Sequence, residues 1–256
     1  MTTYSSTLPV AHSLTGEWRR FAAFLRRPVL LAKAAGPNRK TLIATGRLLL
    51  LDYAVMAVLL AIGGLAMLGG LEFPENELEG IDWNLGWVAL VVLAAPLYEE
   101  LAFRSWLSGR PAHLAAVGAF IAGFIVTTLV AGGVGLGFAD PVQEVGAVSG
   151  LSFVVATVLA LVALWRTPKR PPFRWFAKLF PLFFWASALL FASIHLFNYQ
   201  DDFHPALLAL VVPQFIAGTI FGYARVQYGL WSAILLHMLH NGTALGLALL
   251  TADMLG

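Results

Sequence analysis

Long apolar runs, separated by short polar segments, occupy most of the chain. A membrane-spanning helix needs about 20 mostly apolar residues, and seven stretches come close to that length or exceed it. They are Thr41–Met67, Asn84–Leu107, Ala112–Ala131, Ser149–Trp165, Phe180–Asn198, Ala206–Arg225 and Leu230–Thr251. The sequence therefore predicts an all-α fold, a polytopic bundle of about seven transmembrane helices, in which the fourth is the shortest.

Composition supports the same class. Hydrophobic residues make up 59% of the chain and charged residues 12%, whereas soluble domains have about 45–50% apolar and about 25% charged residues. The absence of cysteine excludes disulfides, thiolate metal ligands and a cysteine nucleophile. The first seventeen residues contain no apolar h-region, so we expect no cleavable signal peptide.

The basic residues indicate an orientation. All sixteen Lys and Arg lie in the N-terminal region up to the start of the first span, or at the ends of the second, fourth and sixth spans. The intervening loops 71–83, 132–148 and 199–205 contain none. Because short cytoplasmic loops are enriched in Lys and Arg, we expect the N-terminus inside. Residues 1–40 would form a cytoplasmic N-terminal segment, and residues 41–251 the membrane domain.

The N-terminal segment contains an amphipathic stretch, Trp18–Arg27. At 100° per residue, one face carries arginines and the opposite face carries apolar side chains. The arginines are Arg19, Arg20, Arg26 and Arg27, and the apolar residues are Trp18, Phe21, Phe24 and Leu25. This pattern is typical of an interfacial helix on anionic lipid. A plain positively charged flank of the first span explains it equally well.

Ionisable residues within membrane spans are costly in lipid, so each is a functional hypothesis. In the present chain such residues concentrate in three of the spans. The second span carries Glu99, Glu100 and Arg104, the fifth carries His195, and the seventh carries His237 and His240 with Asn241 beside them. Counted at 1.5 Å per residue, Glu99, His195, His237 and Asn241 lie roughly 12–21 Å from the predicted cytoplasmic ends of their spans. They can therefore converge inside the bilayer.

The two glutamates of the second span differ in their predicted surroundings. Residues four apart share a helix face, so Glu100 and Arg104 can pair. Glu99 lies about 140° from Arg104 around the helix and is left without this partner. The charge of Glu100 is thus neutralised by Arg104, and the carboxylate of Glu99 is available as a general base. An ion pair that only joins helices needs no second glutamate, so the pattern favours a functional role for these residues over a purely structural one.

Three motifs follow in order along the chain: Glu-Glu-x-x-x-Arg from Glu99, Phe-x-x-x-His from Phe191 to His195, and His-x-x-x-Asn from His237 to Asn241. Each lies in a hydrophobic span. Their order and content resemble those of the CAAX protease and bacteriocin-processing family, which includes the type II CAAX prenyl endopeptidases. The resemblance extends from Trp87 to about Leu249.

The resemblance implies an intramembrane endopeptidase and a role for each motif. Glu99 would activate a water, and His195 would help to hold and polarise it. His237 and Asn241 would form the oxyanion hole, with Glu100, Arg104 and Phe191 in support. His240 matches no position of the motifs.

The sequence departs from the family pattern at two points. Ninety-four residues lie between Glu100 and His195, which leaves room for two inserted spans within 112–166. Ser105 follows the motif arginine, where many members have glycine.

Other functions remain open at this point. A zinc peptidase could use Glu99, His195 and His237 as ligands, but no His-Glu-x-x-His occurs and Asn241 would have no role, so we expect no cofactor. A rhomboid-like serine peptidase would need Gly-x-Ser-Gly, and the nearest stretch, Ala147–Gly150, lacks the first glycine. A transporter or non-catalytic scaffold could also use buried carboxylates and histidines.

The expected partners follow from the membrane setting. We expect a membrane-associated peptide or protein as substrate and the lipid bilayer as surroundings, with no nucleic acid. The expected location is the inner membrane of a bacterium. Gly218 and Gly222 form a Gly-x-x-x-Gly pattern that serves either packing within the chain or a homo-oligomer.

Overall fold

The computed structural model describes residues 10–74, 81–199 and 207–255, and these residues are helical or lie in connecting segments, with no β-strand among them. The helices are α1 (Leu14–Arg26), α2 (Arg39–Leu68), α3 (Leu85–Ser108), α4 (Pro111–Val134), α5 (Pro141–Arg166), α6 (Arg174–Lys178), α7 (Phe180–Ile194), α8 (Leu207–Leu210), α9 (Val212–Gln227) and α10 (Leu230–Leu255).

Seven helical segments in the described part of the chain are long and apolar enough to cross a membrane. They are Arg39–Leu68, Leu85–Ser108, Pro111–Val134, Gln143–Arg166, Phe180–Asn198, Leu207–Gln227 and Leu230–Thr251. The predicted all-α fold with about seven spans is confirmed. The orientation of the N-terminus stays a prediction.

The fourth span begins earlier than the sequence predicted. Its helix starts at Pro141 rather than near Ser149. Glu144 lies in the first turn, and its carboxylate accepts hydrogen bonds from the backbone N–H groups of Leu136 and Phe138. These hydrogen bonds satisfy the Glu144 carboxylate. The helix can therefore include Glu144, although an acidic residue at this position interrupts the apolar run in the sequence. The predicted start of the sixth span, Ala206, lies outside the described residues.

The chain divides into two compact units, Met1–Leu107 with Lys178–Gly256, and Ser108–Ala177. The second unit contains the predicted two-span insertion. Its helices α4 and α5 pack together closely where Gly123 meets Ala156, since a Cβ on Gly123 would lie 3.2 Å from the Ala156 Cα. Thr128 also donates a 2.9 Å hydrogen bond to Ser152 across this pair.

In the first unit, α9 forms the centre, because every residue from Ala217 to Gln227 is buried. Gly218 and Gly222 admit α7 at close range. A Cβ on Gly218 would lie 3.1 Å from the Phe191 ring, and one on Gly222 would lie 2.9 Å from the Phe184 ring. The Gly-x-x-x-Gly pattern thus serves packing within the chain here. A homo-oligomer through these glycines stays a prediction.

Helix α1 begins at the N-cap Ser13, and its apolar face packs against other helices of the first unit. Phe21 and Phe24 are buried and contact the Tyr223 ring at centroid distances of 5.4 and 5.1 Å. Trp18 donates a 2.8 Å hydrogen bond to the Arg47 carbonyl of α2. Whether α1 also meets a lipid surface stays a prediction.

Glu17 holds this helix in place from a buried position. Its Oε1 accepts hydrogen bonds from the Tyr223 and Tyr228 hydroxyls. The pKa of Tyr228 is raised mainly by burial, and further by the neighbouring Tyr223 and Glu17. Its hydroxyl therefore stays protonated and donates to Glu17. The contact joins the N-terminal segment to the membrane domain.

Large apolar side chains are exposed along the spans, as lipid-facing helices require. In α2 the residues Leu60, Leu65 and Leu68 are 70%, 69% and 87% exposed. A soluble protein seldom exposes an apolar surface of this extent. The protein is therefore an integral membrane protein.

Topology can be tested with reporter fusions. Fusions after Arg110 and Arg174 should report the cytoplasm, because basic residues flank these ends of the spans. A fusion at Asp140, in the connection between α4 and α5, should report the opposite side. A cytoplasmic signal at Asp140 would contradict the two-span hairpin. Fusion levels measured by immunoblot control for unequal expression.

Candidate active site

Helix α3 departs from regular α-helical geometry before it reaches the two glutamates. Asn84 caps its first turn through Gly86 and Trp87, and residues Leu90–Ala94 form a π-helical turn. Such turns are rare and often occur at functional sites. The amide of Asn241 in α10 donates a 2.9 Å hydrogen bond to the Val91 carbonyl within this turn. Asn241 is thereby fixed against α3.

Glu100 lies at the junction of α3 and α10. Its Oε1 accepts hydrogen bonds from Arg104 Nη1 at 2.8 Å and from His237 Nδ1 at 3.0 Å. Glu100 and Arg104 are completely buried, and the His237 side chain is 3% exposed. The predicted Glu100–Arg104 pair is therefore present. Glu100 also binds His237, for which the sequence predicted only that it shares a helix face with Asn241.

The hydrogen bond to Glu100 fixes how the His237 ring is turned. An ionised carboxylate can only accept, so Nδ1 donates and Nε2 faces the other way. Nε2 lies 3.8 Å from Glu99 Oε2. When protonated, Nε2 can donate to a developing oxyanion, and when unprotonated it can accept from a water.

Glu99 is the less enclosed of the two glutamates. Its side chain is 25% exposed, yet its Oε2 is buried and has no hydrogen-bond partner among the described residues. A separation of 3.8 Å between this oxygen and His237 Nε2 is too long for a direct hydrogen bond and leaves both atoms able to bind one water. This is the arrangement that a general base with an adjacent polar group requires.

His195 directly follows Ile194, the last residue of α7, and is the first residue of a 3-10 turn. Its Nδ1 donates a 2.7 Å hydrogen bond to the Phe191 carbonyl, so Nε2 is the ring nitrogen that can bind a water or substrate. The Phe191 ring contacts both imidazoles, with centroid distances of 4.7 Å to His195 and 5.5 Å to His237.

Arg104 is held by an aromatic ring as well as by Glu100. Its guanidinium carbon lies 3.8 Å from the centroid of the Phe191 ring, a cation–π geometry. The end of α3 is fixed by Arg225, which donates to the carbonyls of Arg104 and Ser105 at 3.0 and 3.1 Å. Ser105, the departure from the family pattern, bonds back to the Leu101 carbonyl and is accommodated within the helix.

The structure thus links six of the seven predicted site residues by successive contacts. The Phe191 ring contacts Arg104, His195 and His237. Glu99 and Glu100 join this cluster through His237 and Arg104. Asn241 lies one turn beyond His237 on α10 and is anchored separately at Val91. In the part of the chain that the structure describes, no three His, Cys, Asp or Glu side chains are grouped closely enough to hold a metal ion.

Sequence reasoning missed two further features near the cluster. Phe221 stacks on His237 with a centroid distance of 4.8 Å, and nothing in the sequence distinguishes it from the other phenylalanines. Asp52 is buried in α2 and bonds to His240 at 2.6 Å. The presence of an acidic residue within the first span was the signal that should have identified it.

Comparison with known proteins agrees with these motifs. The family model for the type II CAAX prenyl endopeptidase Rce1-like proteins matches residues 81–243, well over half of the chain. The chain belongs to this family. The match includes α3 with both glutamates, helices α4 and α5, and the histidines of the fifth and seventh spans. It ends two residues after Asn241.

A curated relative gives a weaker likeness. A UPF0756 membrane protein of Exiguobacterium sibiricum is 28% identical over 113 residues, which is 44% of this chain and 69% of the relative. Its name states only that it is a membrane protein. No solved structure matches the chain significantly.

Proposed function

We propose that this Rce1-like protein is an intramembrane endopeptidase that hydrolyses a peptide bond with a water activated by Glu99. The observation that supports the proposal best is that Glu99 Oε2 is buried, has no hydrogen-bond partner among the described residues, and lies 3.8 Å from His237 Nε2. Glu99 takes a proton from the water as it attacks the carbonyl carbon and returns that proton to the leaving amine. His195, through its Nε2, helps to hold the water.

The charge that develops on the substrate oxygen needs donors in the same site. We propose that His237 Nε2, in its protonated state, and the Asn241 amide supply them. Glu100 sets the direction of Nε2 through Nδ1, and the Val91 carbonyl sets the position of the Asn241 amide. Arg104 compensates the charge of Glu100 within the buried cluster.

The substrate in this proposal is a membrane-associated peptide or protein, and the location is the cytoplasmic membrane of a bacterium. The direct test uses purified protein in detergent micelles with a quenched fluorogenic CAAX peptide, in a farnesylated and a non-farnesylated form. Fluorescence should rise with at least one form without any ion gradient, and should not rise with Glu99→Gln. No release from either peptide, at any protein concentration, would count against the peptidase proposal.

Metal removal tests the mechanism separately. Because the proposed nucleophile is a water activated by a carboxylate, strong chelators should leave cleavage unchanged. Elemental analysis should find no stoichiometric zinc in the active protein. Activity lost to chelator and restored by zinc would instead support the zinc peptidase, with Glu99, His195 and His237 as the ligands to test.

A further inference from the structure

A second buried acid–histidine pair lies beside the proposed active site, and the mechanism does not use it. Asp52 of α2 is completely buried, and its Oδ2 accepts a 2.6 Å hydrogen bond from His240 Nδ1. The His240 side chain is 21% exposed. Asp52 Oδ1 is buried without a hydrogen-bond partner among the described residues, so His240 is the group that holds this carboxylate.

The pair lies on a different face of α10 from the proposed catalytic groups. At 100° per residue, His240 lies about 60° from His237 in one direction, and Asn241 lies about 40° away in the other. His237 and Asn241 bond to α3, whereas His240 bonds to α2. Helix α10 is therefore held from two sides by polar contacts that are buried or partly buried.

An aromatic ring connects the two sides. The face of Phe221 stacks on His237 at 4.8 Å with an interplanar angle of 26°, and the same ring meets His240 edge-on at 5.8 Å and 81°. A rotation of α10 that displaced His240 would therefore also disturb the packing of His237.

We propose that Asp52 and His240 are positioning residues, which fix the rotation of α10 and thereby place His237 and Asn241 against α3. A buried carboxylate without its partner is strongly unfavourable, so the pair admits one rotational setting of the helix. This role depends on the peptidase function proposed above, because it is the geometry of that site that the pair would maintain.

Kinetics test the role against simple packing. Asp52→Ala should lower kcat by roughly 100-fold, the scale expected when catalytic groups shift by about 1 Å, with KM nearly unchanged. Asp52→Asn, whose amide oxygen can still accept from His240, should recover most of kcat. The matched control is Tyr53→Phe, which removes an exposed hydrogen bond to Thr243 between the same two helices. It should have little effect.

A cross-link measures helix position without reference to activity. A Cβ on Gly242 would lie 3.3 Å from Val92 Cγ1, close enough for a disulfide between Val92→Cys and Gly242→Cys. The chain has no natural cysteine to interfere. Disulfide formation in membranes should be efficient in the double-cysteine variant alone and when Tyr53→Phe is added to it. It should be slower when Asp52→Ala is added. Should Asp52→Ala not accumulate, Asp52→Leu combined with His240→Leu strands no charge and should show the same slowing.

The outcomes separate the two proposals. Slower cross-linking, with a lower kcat that Asp52→Asn restores, supports the positioning role. Unchanged cross-linking in Asp52→Ala, or an equal effect of Tyr53→Phe, overturns it. If the unaltered protein cleaves no peptide while cross-linking still responds to Asp52→Ala, the peptidase proposal fails and the structural role of the pair stands.

Discussion

Glu99→Gln is expected to reduce peptide cleavage below detection while leaving the protein folded and at its normal level in the membrane. Loss of a general base alone typically costs about 10²–10⁴-fold, and here the same group also generates the nucleophile. The fold should tolerate the change, because Glu99 Oε2 makes no hydrogen bond within the described residues that the substitution could break.

The measurement is initial cleavage rate per folded molecule, with the melting temperature recorded on the same preparation. Glu72→Gln makes the same chemical change at an exposed position outside the spans and serves as the matched control. It should cleave at the normal rate. If the two variants cleaved equally well, Glu99 would not be the base, and another group would have to activate the water.

Much of the fold was predictable because the bilayer imposes a simple requirement on sequence. Apolar runs of spanning length are a one-dimensional feature of the sequence, and they located the seven candidate spans of the described part of the chain. The Glu100–Arg104 pair was predictable for a similar reason, since a separation of four residues on one helix fixes which side chains meet. The predicted start of α5 was wrong because the Glu144 carboxylate accepts hydrogen bonds from backbone N–H groups that precede it in the chain, so the helix can begin before this residue.

Contacts between helices were harder to predict. Asp52 and His240 are 188 residues apart, and their pairing depends on the relative rotation and depth of α2 and α10. The same holds for Glu17, which meets Tyr223 and Tyr228 across more than two hundred residues. The hydrophobic pattern of a single helix does not determine how that helix is rotated or shifted relative to its neighbour, so neither contact could be predicted.

The motif residues show the same limit. The sequence placed His237 on one face of α10 with Asn241, and the resemblance gave it a role as an oxyanion donor. The partner that orients its ring, Glu100, was identified only as the partner of Arg104. The structure adds that one oxygen of Glu100 accepts from both Arg104 and His237, so the supporting pair and the histidine of the proposed oxyanion hole form one network.

This network leads to a second prediction, which concerns stability. Glu100→Gln should lower the free energy of unfolding by about 3–5 kcal/mol, because it leaves the buried Arg104 charge without its counter-charge. Partial cleavage per folded molecule should remain, since the amide oxygen of the new side chain can still accept from His237 Nδ1. Arg104→Gln should destabilise the protein to a similar degree, because it leaves the Glu100 carboxylate buried without its arginine.

The double variant, Glu100→Gln with Arg104→Gln, distinguishes an ion pair from two independent losses. Both stranded charges disappear together, so the double variant should be less destabilised than the sum of the two single variants. The measurement is denaturant unfolding in detergent for all four proteins, with cleavage rates normalised to the folded fraction. Strictly additive losses would show that Glu100 and Arg104 do not stabilise each other. A stable but wholly inactive Glu100→Gln, beside an active Glu99→Gln, would instead transfer the role of general base from Glu99 to Glu100.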